Sequence, residues 1–171
     1  MRWNRMKRNG FCSQICQLIQ LLTISFVAIA GCILFISAPS LAAPSKSLEI
    51  NVYRDPSCSC CGGWIEHLAG QGFQTKEITT SDMEKIKQQY GVPDTLASCH
   101  TAVIDRYIVE GHVPVEDIKR LLVEQPNATG IAVPGMPIGT PGMEDGDRRD
   151  SFTVFSFDKQ GNAAAFNRYS H

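Results

Sequence analysis

The fold is decided by Leu48-Glu49-Ile50-Asn51-Val52-Tyr53 and by the segment that follows, Asp55-Pro56-Ser57-Cys58-Ser59-Cys60-Cys61-Gly62-Gly63-Trp64. The first run alternates apolar with polar residues, as a strand with one buried face does, and Asp55-Pro56 ends it. Trp64, Ile65, Leu68 and Ala69 then recur at helical spacing until Gly70 and Gly72 stop the pattern. A strand therefore feeds a helix through a turn that carries three cysteines. A helix N-terminus presents unpaired N–H groups and a partial positive charge, which favours thiolate over thiol. Sulfur placed there is suited to redox or to metal chemistry.

Outward from this unit, Phe73 to Thr79 reads as a second strand. Ser81-Asp82-Met83-Glu84 reads as a capping box, with Ser81 and Glu84 closing the start of a helix that runs to about Tyr90. Ala102-Val103-Ile104 and Tyr107-Ile108-Val109 form a hairpin across Asp105-Arg106. Pro114 opens a helix with Val115, Ile118, Leu121 and Leu122 on one face. The order β-α-β-α-β-β-α is that of a thioredoxin-like α/β fold. Residues 126–147 are rich in Pro and Gly, with too little periodicity for helix or strand, and are expected to form an ordered Pro/Gly/Met loop. Phe152 to Phe157 and Ala163 to Asn167 read as a closing C-terminal β-hairpin.

Ahead of the first strand, the chain changes character. Residues 1–43 hold four basic groups (Arg2, Arg5, Lys7, Arg8) and no acids, followed by an apolar run from Leu18 to Ile36 and the small residues of Ser40-Leu41-Ala42. That is the layout of a signal peptide, expected over residues 1–42, with residues 43–171 as the exported domain. An uncleaved membrane anchor and a lipoprotein attached through Cys32 are the alternatives, and all three deliver the body outside the cytoplasm, as in a periplasm. Contact with a membrane is expected only through this segment. The rest carries 12 basic against 17 acidic groups, and such an acidic body offers no surface for phosphates, which excludes nucleic acid as a partner.

With Cys12, Cys16 and Cys32 in the leader, the body keeps Cys58, Cys60, Cys61 and Cys99. In an oxidising compartment four thiols default to two disulfides, but this spacing fits that default poorly. Cys58 and Cys61 alone are a C-x-x-C pair, the spacing of a dithiol–disulfide oxidoreductase. Cys60 adds a competing thiol inside that loop. Bonding it to adjacent Cys61 demands a strained geometry. Three sulfurs in four residues are better explained as a soft-metal cradle. Cys99 is expected to face it, because in a thioredoxin-like fold the start of the hairpin strand faces the C-x-x-C loop. No proline stands at that start, where an oxidoreductase holds its peptide substrate with a cis-proline.

His100 joins the candidate ligands as the neighbour of Cys99. Pro134-Gly135-Met136 and Pro141-Gly142-Met143 repeat one tripeptide seven residues apart and offer two thioethers on a stiffened arm. Thioether with thiolate suits Cu(I), whereas zinc rarely needs methionine. Met136 and Met143 are equally well read as apolar plugs over the sheet. His112 is placed at the start of the last helix, with a ligand role left open, and Trp64 is placed under the cysteine loop as packing. Glu144-Asp145-Gly146-Asp147 lacks a calcium-loop pattern and reads as solvated loop.

The segments Cys58-Ser59-Cys60-Cys61-Gly62-Gly63-Trp64, Leu96-Ala97-Ser98-Cys99-His100-Thr101-Ala102, Glu110-Gly111-His112-Val113-Pro114 and Val133-Pro134-Gly135-Met136-Pro137-Ile138-Gly139-Thr140-Pro141-Gly142-Met143 resemble the CopG-like periplasmic copper proteins. That resemblance spans residues 48–168. It implies a thioredoxin-like fold and copper held by Cys58, Cys60, Cys61 and Cys99, with His100, Met136 and Met143 as further members. It also implies a role in copper resistance or homeostasis. The leading expectation is a binding protein that sequesters Cu(I) or passes it to a copper transporter or chaperone, with reversible copper or thiol redox change as an extension. A dithiol–disulfide oxidoreductase using Cys58 and Cys61, a structural zinc site and plain structural disulfides are the other readings. Whether the chain turns over a substrate stays open at this point.

Overall fold

A computed structural model describes residues 48–171. The expected leader at 1–42 and its cysteines lie outside the described residues. The elements are β1 (Glu49–Arg54), α1 (Ser59–Gly70), β2 (Gln74–Thr79), α2 (Met83–Tyr90), a 3₁₀ turn (Asp94–Leu96), β3 (His100–Ile104), β4 (Tyr107–Glu110), α3 (Val115–Glu124), β5 (Gly130–Ala132), β6 (Phe152–Phe157) and β7 (Ala163–Tyr169). The mixed α/β class and the order β-α-β-α-β-β-α are as read from the sequence, and so is the closing hairpin.

All seven strands form one sheet in the order β2-β1-β3-β4-β5-β6-β7. β1 with β2 and β4 with β5 are parallel pairs, and every other pair is antiparallel. Strand side chains alternate between faces, and both faces are covered. Ile50, Val52, Ala102, Ile104, Val109, Ile131 and Val154 pack with Trp64, Ile65 and Leu68 of α1 and with Ile118 and Leu121 of α3. Ile108, Ala132 and Phe157 point the other way and pack with Val92 and Leu96, which follow α2.

Two local expectations are corrected. The segment 126–147 is not strand-free: Gly130–Ala132 is a wholly buried inner strand that joins the hairpin to the rest of the sheet. A strand buried on both faces shows no alternation, and three residues are too few for a periodicity to register. The cap of α2 is Asp82 rather than Ser81. The Asp82 carboxylate accepts from the Lys85 N–H, and the Thr80 hydroxyl accepts from the Asp82 N–H, so the helix starts one residue later than the capping box implied. Among the described residues no helix is long and apolar enough to cross a membrane.

Candidate metal centre

Cys58 is the N-cap of α1, and Cys60 and Cys61 lie in its first turn. Cys99 immediately precedes β3, two strands into the sheet. The sulfurs of Cys58, Cys60, Cys61 and Cys99 all lie within 4.8 Å of one another, as the sequence reading required. Cys58 and Cys61 are joined by a disulfide, while Cys60 and Cys99 are free thiols. The Cys60 sulfur is 3.6 Å from that of Cys58.

Cys99 also belongs to a second group with His100 and His112. Its sulfur is 3.2 Å from His100 Nδ1 and 3.1 Å from His112 Nε2. The hairpin explains how residues thirteen apart meet. Thr101 pairs with Glu110 across β3 and β4, and continuing that register two residues outward sets Cys99 opposite His112. The expected turn at Asp105-Arg106 already fixed this register, so a signal for His112 was present.

The tautomer of His112 follows from its other nitrogen. Nδ1 is 2.7 Å from the Pro141 carbonyl, which can only accept, so Nδ1 carries the proton and Nε2 presents a lone pair toward Cys99. His100 is fully buried, with its ring centroid 4.3 Å from that of Trp64 and 5.0 Å from that of His112. Among the described residues its Nε2 has no hydrogen-bond partner. Trp64 lies beneath the site as expected, and its indole N–H donates to the Val113 carbonyl at 2.9 Å.

Burial lowers the pKa of His100 well below the ordinary histidine value, and the neighbouring His112 and Lys87 add to the effect. Burial also lowers that of His112, against the Pro141 hydrogen bond. Both rings are thus neutral near pH 7, the state in which imidazole binds a metal. The Cys99 thiol is pushed up to about 12, first by burial and then by the adjacent Cys60. A cation that binds there must displace a proton.

The two Pro-Gly-Met tripeptides are anchored to different elements around the site. Pro134-Gly135-Met136 is tied to the Cys99 side, where the Ser98 hydroxyl donates to the Gly135 carbonyl and the Gly135 N–H to the Ala97 carbonyl. Pro141-Gly142-Met143 lies against α1. A Cβ on Gly142 would sit 2.5 Å from the Trp64 backbone nitrogen and 3.0 Å from the Cys60 carbonyl oxygen. Met136 is 54% exposed, and Met143 is half-buried.

One buried network went unread in the sequence. Glu110 is fully buried and meets Lys87, Ser98 and Thr101. Burial raises its pKa despite the Lys87 ammonium beside it. A lone acid at a strand end ordinarily faces water, and only the contact with α2 reveals its role.

Soft sulfur donors and neutral imidazoles together form donor groups that can hold a metal ion. Residues 96–143 match a family described as "Protein of unknown function, DUF411", a stretch that includes Cys99, His100, His112 and both tripeptides. Among curated proteins none matches. Two solved structures do. "Copper resistance protein copG- Form 2" is 46% identical with a TM-score of 0.70, the match covering 73% of this chain and 100% of that one. "Copper resistance protein copG- Form 1" is 45% identical, also with a TM-score of 0.70, over 74% of this chain and 100% of that one. At that identity over their whole length, the chain belongs to the family of the copper resistance protein CopG.

Proposed function

We propose that the protein is an exported copper-binding protein of copper homeostasis or resistance. It holds Cu(I) through Cys58, Cys60, Cys61 and Cys99, with His100 and His112 as imidazole donors. The observation that carries this reading is the position of the Cys99 sulfur, common to a group of four sulfurs and to a group of one sulfur and two imidazoles. Thiolate-rich sites with imidazole suit cuprous ion. Relatives named as copper resistance proteins support the choice of copper over zinc.

The Cys58–Cys61 bridge makes loading depend on redox state. Two electrons and two protons convert the disulfide to two thiols, and each thiol then loses its proton when it binds the ion. In the bridged state Cys60, Cys99, His100 and His112 remain as donors. Anaerobic cuprous titration before and after a phosphine reductant is the test. Loading rises on reduction, and Cys58→Ser abolishes the rise. Equal loading in both states removes these two sulfurs from the donor set.

Met136 and Met143 complete the set from the rim in this reading. A double replacement of both by Ala lowers copper retention, and unchanged retention rejects the methionine arm. Residues 1–42 deliver the domain outside the cytoplasm, where a copper transporter or chaperone receives the ion. N-terminal sequencing of protein from the exported fraction identifies the cleavage site.

The disulfide itself favours one second reading, a dithiol–disulfide oxidoreductase, because it joins a C-x-x-C pair at a helix start. Reduction of insulin disulfides that survives both Cys60→Ser and Cys99→Ser would select that reading over copper binding.

A further inference from the structure

We propose that the buried Lys87–Glu110 pair is a positioning device for the Cys99–His100 donor pair, an inference that rests on the copper-binding reading of that site. Glu110 ends β4 with its side chain fully buried, and Lys87 of α2 reaches it with only 12% exposure. One carboxylate oxygen accepts from Lys87 Nζ at 2.5 Å and from the backbone N–H of Ser98 at 2.7 Å. The other accepts from the Thr101 hydroxyl at 2.7 Å. Lys87 Nζ also donates to Thr101 Oγ1 at 3.2 Å. Ser98 precedes the donor pair and Thr101 follows it, so one carboxylate grips the chain on both sides of Cys99 and His100.

Strand alternation gives the grip its direction. His100 points toward Trp64 and His112, whereas Thr101 and Glu110 point to the opposite face, under α2. The pair therefore lies behind the donors and touches neither. A buried ion pair is a weak source of stability, since apolar residues of similar volume often serve as well. What an apolar residue cannot supply is two acceptors aimed at Ser98 and Thr101. Removing a group hydrogen-bonded directly to a metal ligand costs about 10- to 100-fold in affinity, and a carboxylate that acts one bond further back, through Ser98 and Thr101, is expected at or below the lower end of that range.

The test compares Glu110→Gln and the milder Thr101→Val with Asp117→Asn. Asp117 is a second buried carboxylate among the described residues, and its partners Asn167 and Tyr169 belong to β7 rather than to the donor segments. Two measurements are made on the exported protein. One is the alkylation rate of Cys99 in metal-free protein whose three other body cysteines are Ser. The other is retention of Cu(I) against a chromogenic cuprous chelator. Glu110→Gln and Thr101→Val speed alkylation and weaken retention, by up to about 10-fold for Glu110→Gln. Asp117→Asn lowers stability and leaves both unchanged. If Glu110→Gln does not fold, Thr101→Val decides. Wild-type behaviour in the folded variants, or an equal effect of Asp117→Asn, overturns the positioning role. Should the wild type hold no copper, the copper reading fails, and the alkylation rates still decide the positioning claim.

Discussion

The Nε2 atom of His112 faces the sulfur of Cys99 at 3.1 Å because the opposite ring nitrogen is committed to the carbonyl of Pro141. The loop that carries Pro141 thus sets which nitrogen of a histidine twenty-nine residues earlier is free to bind a cation. It can do so only while seated on α1. That seat depends on Gly142, which lies at φ +81° where a Cβ would collide with the backbone nitrogen of Trp64.

The two glycines of the repeated tripeptide should therefore respond differently to alanine. Gly135 and Gly142 both have positive φ, and an L-residue there costs about 1–2 kcal/mol. A Cβ on Gly135 meets nothing within 4 Å, whereas one on Gly142 meets backbone at 2.5 Å. Gly142→Ala should lose about 1–3 kcal/mol more than Gly135→Ala in denaturant unfolding. It should also shift the His112 ring nitrogens in the NMR spectrum. Equal losses would mean that the second tripeptide is not held by α1.

Cys99→Ser should weaken cuprous retention more than Cys60→Ser does. The first removes a donor common to both groups, and the second removes one from the four-sulfur group alone. Competition with a chromogenic chelator on reduced, anaerobic protein gives the ranking. A larger loss in Cys60→Ser would show that the histidine group holds no copper.

Much of this site could be read in the chain before any coordinates. The apolar spacing from Trp64 to Ala69 places the cysteines at a helix start, and the thioredoxin-like element order, in which the start of the hairpin strand faces that turn, places Cys99 near them. His112 was within reach of the same reasoning, since that turn sets it opposite Cys99. Its ligand role stays open in the sequence because its neighbours Val113 and Pro114 read equally well as the start of a helix. Glu110 and Lys87 were beyond reach, because their pairing joins α2 to β4 and no local pattern encodes it. The strand at Gly130–Ala132 was invisible for a related reason: its pairing with β4 and β6 comes from the sheet and not from three residues of sequence.

Trp64→Phe tests whether the ring beneath His100 is held by more than packing. The indole N–H donates to the Val113 carbonyl in a fully buried setting, and Phe leaves that acceptor without its partner. A loss of about 1–3 kcal/mol in denaturant unfolding is expected. A change below about 0.5 kcal/mol would show that the carbonyl finds another donor.

The pH dependence of folding should carry the signature of the two buried histidines. Both have pKa values below the ordinary histidine value of about 6.5 in the folded state, so around and below that pH the unfolded chain binds more protons than the fold does. Their contribution is present above about pH 6.5 and is lost as pH falls through the folded values. Glu110 acts with the opposite sign. Its raised pKa makes the fold bind more protons than the unfolded chain above the ordinary glutamate value, so its share of stability declines as pH rises through the folded value. The two effects overlap in the weakly acidic range, and subtraction separates them. The stability of metal-free wild type minus that of His100→Gln, from denaturant unfolding between about pH 7.5 and pH 5, isolates the imidazole. That difference should be level in the upper part of the range and fall below about pH 6.5. A level difference throughout would mean that His100 is protonated as readily in the fold as in the unfolded chain, and its place as a neutral donor beside Cys99 would be lost.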